Sequence, residues 1–131
     1  MGSWNFPIST TLLPAITAIA AGNAVVIKPS EISAFSAKAM KTLCARYLDL
    51  SAYKCVNGQV QVAIRASQSQ FDKIIFTGST EKGKLVAQAA AKNLVPCVLE
   101  LGGKCPMVID RSADLDFAAS KTSLTGFINS G

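Results

Sequence analysis

The segment Phe76-Thr77-Gly78-Ser79-Thr80-Glu81-Lys82-Gly83-Lys84 decides how the rest of this chain is interpreted. It joins an apolar run at 73–76 to an alanine-rich helical pattern that begins near Thr80. In α/β folds a buried strand often passes through a glycine turn into a helix. The N–H groups of the first helical turn and the positive end of the helix dipole then face an anion. The segment therefore predicts a phosphate site.

The small residues of this turn have separate predicted roles. Gly78 removes a Cβ where a ligand approaches the backbone, and Ser79 or Thr80 caps the helix or donates a hydroxyl to a phosphate oxygen. Gly83 allows the helix to lie close to its strand. The alternative, favoured for the segment taken alone, is a capped strand–helix junction without a ligand. The turn has neither the full G-x-G-x-x-G spacing nor the sequence of a P-loop.

The composition is that of one folded domain with a substantial core. The chain has 131 residues, of which 50% are hydrophobic and 16% are charged, which excludes disorder. The net charge of +5 comes from scattered lysines with few aromatic residues between them, so we expect no nucleic-acid binding. The absence of histidine removes the usual general base and the commonest metal ligand.

The cysteines and the longest apolar run indicate an intracellular protein. The four cysteines show no C-x-x-C pair and no metal-ligand spacing, so we expect reduced, mostly buried thiols and no metal. The apolar run from Leu12 to Ala21 is interrupted by Pro14 and is too short to span a bilayer. No basic region of a signal peptide begins the chain. The compartment, cytoplasmic or mitochondrial, stays open.

Strand and helix patterns alternate along the chain. Strands are predicted at 24–27, 53–56, 73–77, 96–101 and 107–109, and helices at 8–21, 34–48, 59–69, 80–93 and 114–128. This alternation predicts an α/β fold with a parallel, doubly wound, Rossmann-like sheet. The first helix is nearly all apolar and is predicted to be buried. Two further helical stripes are predicted to be apolar packing faces. The first is formed by Phe35, Ala39, Leu43 and Tyr47 and widened by Ile32, Met40 and Leu48, and the second, facing the sheet, is formed by Leu85, Val86, Ala89 and Ala90.

Polar residues follow three of the predicted strands. Lys28 with Glu31, Gly78 with Ser79, and Glu100 before Gly102-Gly103 each stand at a carboxyl end, where functional groups of parallel sheets gather. A cation, a carboxylate for ribose hydroxyls and a helix N-terminus for pyrophosphate are the parts of a dinucleotide site. For Lys28 and Glu31 read alone, a solvated turn with a local ion pair is the favoured alternative.

Two residues are candidates for catalysis. Glu100 ends an apolar strand, and desolvation at the edge of an apolar pocket would raise its pKa and make it a general base. A buried glutamate bonded to the N–H groups of the glycine turn is an equal alternative. Asn5 offers a side-chain amide suited to an oxyanion, although nothing local shows that it points to one.

Four stretches in register resemble the aldehyde dehydrogenase superfamily. They are Trp4-Asn5-Phe6-Pro7, the run from Ala20 to Glu31, the run from Phe76 to Thr80, and the run from Leu99 to Lys104. Their order and spacing agree with the family over essentially the whole chain. The run from Ala45 to Asp49, with Tyr53 and Val56-Asn57-Gly58 after it, is most similar to the class 3, or fatty aldehyde, branch.

The resemblance implies NAD or NADP as cofactor and an aldehyde as substrate. Asn5 would be the side-chain half of the oxyanion hole, and Glu100 would activate the water that releases the acid. The implied cofactor-binding residues, together with those predicted from the turn itself, are Lys28, Glu31, Gly78, Ser79, Thr80, Gly83 and Leu101.

The resemblance also implies that residues 1–131 are a partial NAD(P)-binding domain. In the family pattern, the segment at 129–131 leads within a few positions to the nucleophilic cysteine, and none of the cysteines present stands there. We therefore expect this chain alone to be inactive and to need copies of itself or other proteins as partners. The alternative is a non-enzymatic structural or binding subunit that retains this half-fold.

Overall fold

The computed structural model describes residues 1–130, and Gly131 lies outside the described residues. The helices are α1 (Ser9–Ala20), α2 (Ala34–Tyr47), α3 (Val60–Gln68), α4 (Thr80–Ala91) and α5 (Leu115–Phe127), and the strands are β1 (Val25–Ile27), β2 (Tyr53–Cys55), β3 (Ile74–Thr77) and β4 (Cys97–Glu100). A short 3₁₀ turn, Ile128–Ser130, follows α5. The alternation of strands and helices confirms the predicted α/β class. Over these residues, no helix is both long and apolar enough to cross a membrane.

The strands form two separate parallel pairs. β1 pairs with β2, with Val25 opposite Tyr53, and β3 pairs with β4, with Thr77 opposite Glu100. Among the described residues no strand joins the two pairs into one sheet. Parallel pairing with helical crossovers is the local geometry of a doubly wound fold, which these two pairs present in incomplete form.

Local sequence explains where the first elements end. Gly22 has a φ of +79°, the left-handed conformation that commonly follows the last turn of a helix, and α1 ends before it. Pro14 lies inside α1 without ending it. The β-branched run after Gly22 forms β1, although only Ile27 of that strand is fully buried.

Each strand pair has its own apolar core. The first core contains Ala15, Ile27, Met40, Cys44 and Cys55, and the second contains Ile74, Val86, Ala90 and Val95. Cys44, Cys55, Cys97 and Cys105 are free thiols, of which the first two are buried. Burial and the neighbouring Cys44 raise the pKa of Cys55 to about 11, so this thiol is unreactive at neutral pH.

Several predicted packing faces are wrong in part. In α2 the structure buries Met40 of the predicted stripe, but with it Ala37 and Cys44, whereas Phe35 of that stripe is 91% exposed. In α4 Val86 and Ala90 are buried as predicted, whereas Leu85 is exposed.

The first helix and the last predicted strand also differ from expectation. α1 buries only Thr11 and Ala15, and its Leu12 is partly buried against the first core. Leu13 and Ile16 are more than half exposed, because no element within residues 1–130 covers them. The predicted strand at 107–109 does not form, and all three of its side chains are exposed. An apolar run becomes a strand only where a neighbour accepts its main-chain hydrogen bonds, and no neighbour does so within residues 1–130.

Candidate functional site

The carboxyl ends of β1, β3 and β4 lie at one edge of the strands. Gly78 donates its N–H to the carbonyl of Glu100 over 3.0 Å, which fixes the end of β3 beside the end of β4. Met1-Gly2 link this edge to β1, since Thr77 donates to the Met1 carbonyl and Gly2 donates to the Lys28 carbonyl, each over 3.1 Å. The three predicted polar clusters therefore belong to one face of the molecule.

Lys28 and Glu31 form an ion pair directly after β1. The Lys28 ammonium donates to Glu31 Oε2, and the Lys28 residue is 4% exposed while the Glu31 side chain is 33% exposed. Burial raises the pKa of Glu31, but its hydrogen bond from Lys28, its own backbone N–H and the Lys28 charge together hold the pKa below its ordinary value. The pair is thus partly enclosed and not the solvated turn of the alternative. The Glu31 carboxylate, kept ionised by Lys28, is an acceptor suited to hydroxyl groups.

A cavity of about 190 Å³ lies beside this pair. Its walls are formed by Pro29, Glu31, Ala34, Ala37, Asn57, Gly58 and Gln59. Asn57 is held in place because its Nδ2 donates to the Ala37 carbonyl over 2.8 Å. Sequence reasoning treated Asn57-Gly58 only as a turn. Its position directly after β2, at the same carboxyl edge, is the signal that could have indicated a lining role.

The start of α4 is an exposed helix N-terminus. Ser79 caps the helix, since its Oγ accepts from the Lys82 N–H over 3.3 Å and its carbonyl accepts from the Gly83 N–H over 2.8 Å. The cap is therefore Ser79, and Thr80, also exposed, is the first helical residue. The N–H groups of the first turn that the cap does not use are the ones available to an anion. Glu81 in the same turn is favourable to the helix dipole but repels a phosphate.

Neighbouring side chains occupy the space that a Cβ would need at the two glycines of this segment. A Cβ at Gly78 would lie 2.6 Å from the Phe76 ring, and a Cβ at Gly83 would lie 2.6 Å from Leu101 Cδ2. Gly83 is buried and brings α4 against the residue that follows β4, as predicted. At Gly78 a neighbouring ring, rather than open space for a ligand, occupies the Cβ position.

Glu100 and Leu101 end the β4 side of the site. Glu100 is exposed, so the structure supports neither the predicted apolar pocket around it nor the alternative of a buried, backbone-bonded carboxylate. Its side chain is open to solvent at the carboxyl edge, where water and a ligand can reach it. Leu101 is 36% exposed and packs on Gly83.

Asn5 lies beside the other end of the chain. Its Oδ1 accepts from Ser3 Oγ over 2.8 Å, and its carbonyl accepts from Asn129 Nδ2 over 3.2 Å. Residues 124 positions apart therefore meet, and Asn129 contacts the main chain of the residue whose side-chain amide is predicted to bind an oxyanion. Within residues 1–130 no hydrogen bond joins Asn5 to Glu100, so the structure does not bring these two candidates together.

The chain matches the model of the aldehyde dehydrogenase family over residues 1–131. It is 47% identical over 131 residues to aldehyde dehydrogenase family 3 member A2 of Rattus norvegicus, and it covers 27% of that relative. Among solved structures it resembles the substrate-bound state of Staphylococcus aureus AldH, with a TM-score of 0.86 and 38% identity over 95% of this chain and 27% of the other.

A further solved relative is aldehyde dehydrogenase C of Pseudomonas syringae, in complex with NAD⁺ and octanal. The TM-score is 0.79 and the identity 35%, and the match covers 98% of this chain and 27% of that one. The chain thus spans just over a quarter of each of these relatives. These matches agree with the four sequence stretches and with the parallel strand pairs, and the chain belongs to the aldehyde dehydrogenase family.

Proposed function

We propose that this chain contributes the cofactor-binding part of an NAD(P)-dependent aldehyde dehydrogenase, an enzyme that oxidises aldehydes to carboxylic acids. The observation that carries the proposal is the common edge at which the Lys28–Glu31 pair, the N-terminus of α4 and Glu100 stand. A dinucleotide needs hydroxyl-binding groups and an anion site at neighbouring strand ends, and this edge offers both. The proposed activity is that of the complete protein.

The residues at the edge fit the adenosine half of the cofactor. The Glu31 carboxylate accepts hydrogen bonds from ribose hydroxyls, and Lys28 both donates to the ribose and keeps Glu31 ionised. The 190 Å³ cavity beside them gives the base an apolar wall at Pro29 and Ala34. Ser79 and Thr80 meet the pyrophosphate at the start of α4. The bound dinucleotide supplies the hydride acceptor.

Asn5 and Glu100 serve the carbonyl chemistry in this proposal. The Asn5 amide donates to the oxygen that becomes an oxyanion when a thiolate attacks the aldehyde. Glu100 takes a proton from the water that then releases the acid. The main-chain contact between Asn5 and Asn129 supports this assignment, because the segment near Asn129 resembles the approach to the nucleophile.

The 131-residue chain alone is expected to show no aldehyde oxidation. Cys44 and Cys55 are buried in a core, and burial raises the pKa of Cys55 and of Cys97, so these thiols are poor nucleophiles. Cys105 is exposed but stands at a position that does not match the family nucleophile. NADH formation with medium-chain and aromatic aldehydes measures this. Steady turnover that Glu100→Gln abolishes would contradict it.

Calorimetric titration of the chain with NAD⁺ and with AMP tests the cofactor assignment. This chain provides only part of the proposed site, and its loops must become ordered when the ligand binds. We therefore expect weak affinity, on the order of millimolar. AMP should bind nearly as well as NAD⁺, because the contacts described are to the adenosine half. Lys28→Ala should weaken both ligands.

Lys92→Ala is the matched control, because Lys92 follows α4 at the opposite end of that helix. It removes the same charge and should leave both affinities unchanged. Tight NAD⁺ binding that ignores Lys28→Ala would show that the cofactor lies elsewhere. The absence of binding by either ligand would favour the non-enzymatic alternative.

A further inference from the structure

Two of the thiols lie side by side in the first core. Cys44 stands in the last turn of α2 and Cys55 ends β2, and both are buried there. Cys44 is close enough to the Cys55 thiol to act on its pKa. The other two thiols lie elsewhere, since Cys97 packs against the second core and Cys105 is exposed. Cys44 and Cys55 therefore form one pair between a helix and a strand.

The Cys55 thiol also supports a wall of the 190 Å³ cavity. It donates to Asn57 Oδ1 over 3.8 Å, and Asn57 Nδ2 donates to the Ala37 carbonyl over 2.8 Å. Asn57 and Ala37 both line the cavity. Both polar atoms of the Asn57 side chain are thus held, one by the thiol and one by α2. A chemical change at the thiol removes one of these two bonds.

The proposed activity makes no use of this pair. A buried cysteine commonly serves only as a small hydrophobic residue, and a valine would fill the same space. Two neighbouring thiols can do more, because together they can lose two electrons and join. Their adjacency is therefore the observation that separates this pair from two ordinary core residues.

We propose that Cys44 and Cys55 are an oxidation site, at which a hydroperoxide converts the two thiols into a disulfide that ties α2 to β2. One thiolate attacks a peroxide oxygen and becomes a sulfenic acid, and the peroxide leaves as an alcohol, or as water if it is hydrogen peroxide. The second sulfur attacks the sulfenic sulfur, the S–S bond forms and water leaves. The thiols lose two electrons and two protons, which the peroxide takes up. A thiol reductant reverses the change.

The disulfide changes the cavity wall as well as the core. Cys55 then has no S–H, so its bond to Asn57 Oδ1 is lost and the Asn57 side chain keeps only its bond to Ala37. The new bond also draws the last turn of α2 toward the end of β2, because the two sulfur atoms of a disulfide are only ~2 Å apart. This change needs no bound cofactor.

Burial sets the rate of this oxidation. Burial, and to a smaller extent Cys44, raise the pKa of Cys55 to about 11, against the opposing charge of Lys41. The thiolate is the attacking form, so only a small fraction of Cys55 can react at neutral pH. Oxidation through Cys55 should therefore be slow at pH 7 and roughly 100-fold faster at pH 9.

Peroxide treatment of a chain that keeps only this pair tests the proposal. The chain carries Cys97→Ser and Cys105→Ser and is treated with hydrogen peroxide at pH 9. Both thiols should be lost, the intact mass should fall by two hydrogen atoms, and a peptide map should join Cys44 to Cys55. The NMR signal of the Asn57 side-chain amide should shift. Dithiothreitol should restore the thiols, the mass and the signal.

Two further chains make the result specific. The natural chain is mapped in parallel, because Cys97 is partly buried and its replacement could unfold the protein. It should contain the same link between Cys44 and Cys55. The control adds Cys44→Ala to the test chain and cannot form the internal bond. Oxidation of its remaining Cys55 should add oxygen to the mass and remove no hydrogen.

Three results would overturn the proposal. Retention of both thiols at pH 9, or added oxygen without an S–S bond, would show that the two sulfur atoms cannot join in this fold. Disulfides between molecules, with a yield that grows with protein concentration, would show that the pair does not react internally. An internal disulfide that leaves the Asn57 signal unchanged would show that the pair does not act on the cavity. A reversible internal link with a shifted Asn57 signal supports the proposal.

Discussion

At the scale of single residues, the Met1 amino group couples the stability of this chain to pH. Its pKa falls from 8.0 in the unfolded chain to about 6 in the fold. Between these values the unfolded chain binds more protons than the folded one, so the free energy of unfolding rises with pH. We predict a rise of about 2 kcal/mol from pH 6 to pH 8. Well below pH 6 both states bind the proton, and the full cost of charging the buried amine lowers the free energy of unfolding.

Urea unfolding at pH 6 and pH 8 measures this rise. The control is the chain acetylated at Met1, whose amide does not titrate. It should show little change over the same window. A similar pH slope in both chains would mean that another group is responsible.

Among the site residues, those at strand ends could be predicted and those that depend on tertiary contacts could not. Lys28, Glu31 and Ser79 come shortly after strands. Because functional groups of parallel sheets gather at the carboxyl ends of strands, their position at this edge could be predicted. The environment of Glu100 could not be predicted, because its exposure depends on what covers β4. The lining role of Gln59 depends in the same way on the packing of α2 against the turn after β2.

At the scale of elements, α2 shows why periodicity predicted a helix but centred its packing face on the wrong residues. The helix bears two apolar stripes, one through Phe35 and Leu43 and one through Ala37, Met40 and Cys44. Both have helical spacing, and spacing cannot tell which stripe contacts a strand. The core selects the stripe with the smaller residues, which fits against Ile27 and Cys55.

This choice of face gives a prediction. Met40 is 3% exposed and Leu43 is 53% exposed. Met40→Ala should therefore lower the free energy of unfolding by about 2–5 kcal/mol. Leu43→Ala, three residues away on the same helix, should change it by no more than about 0.5–1 kcal/mol. Chemical denaturation of both variants checks this. A larger effect at Leu43 would restore the stripe predicted from the sequence.

At the scale of the whole molecule, large apolar side chains remain uncovered. Phe35, Leu94, Val108 and Phe127 are each more than four-fifths exposed, and none of the α5 residues is buried. Exposed apolar surface of this kind favours association. The alternation of elements was enough to predict an α/β fold. It could not predict that, within residues 1–130, the strands form two unjoined pairs, since the pairing of strands depends on tertiary contacts that the pattern does not contain.

We therefore predict that the 131-residue chain self-associates or binds other proteins. Light scattering across a concentration series should give a mass above that of the monomer, increasing with concentration. Phe35→Ser combined with Phe127→Ser removes two exposed rings and should reduce this increase. A monodisperse monomer at all concentrations, with a sharp cooperative melt, would refute the prediction.

The central claim is that an adenosine site lies at the carboxyl edge of these strands. Mapping the amide chemical shifts of the chain during titration with AMP tests it most directly. The account predicts that the largest changes fall at Glu31, Gly58 and Thr80, and that Asn23 and Lys73, at the amino ends of β1 and β3, stay unchanged. Changes confined to the amino edge or to α5, with none at Glu31, would contradict it.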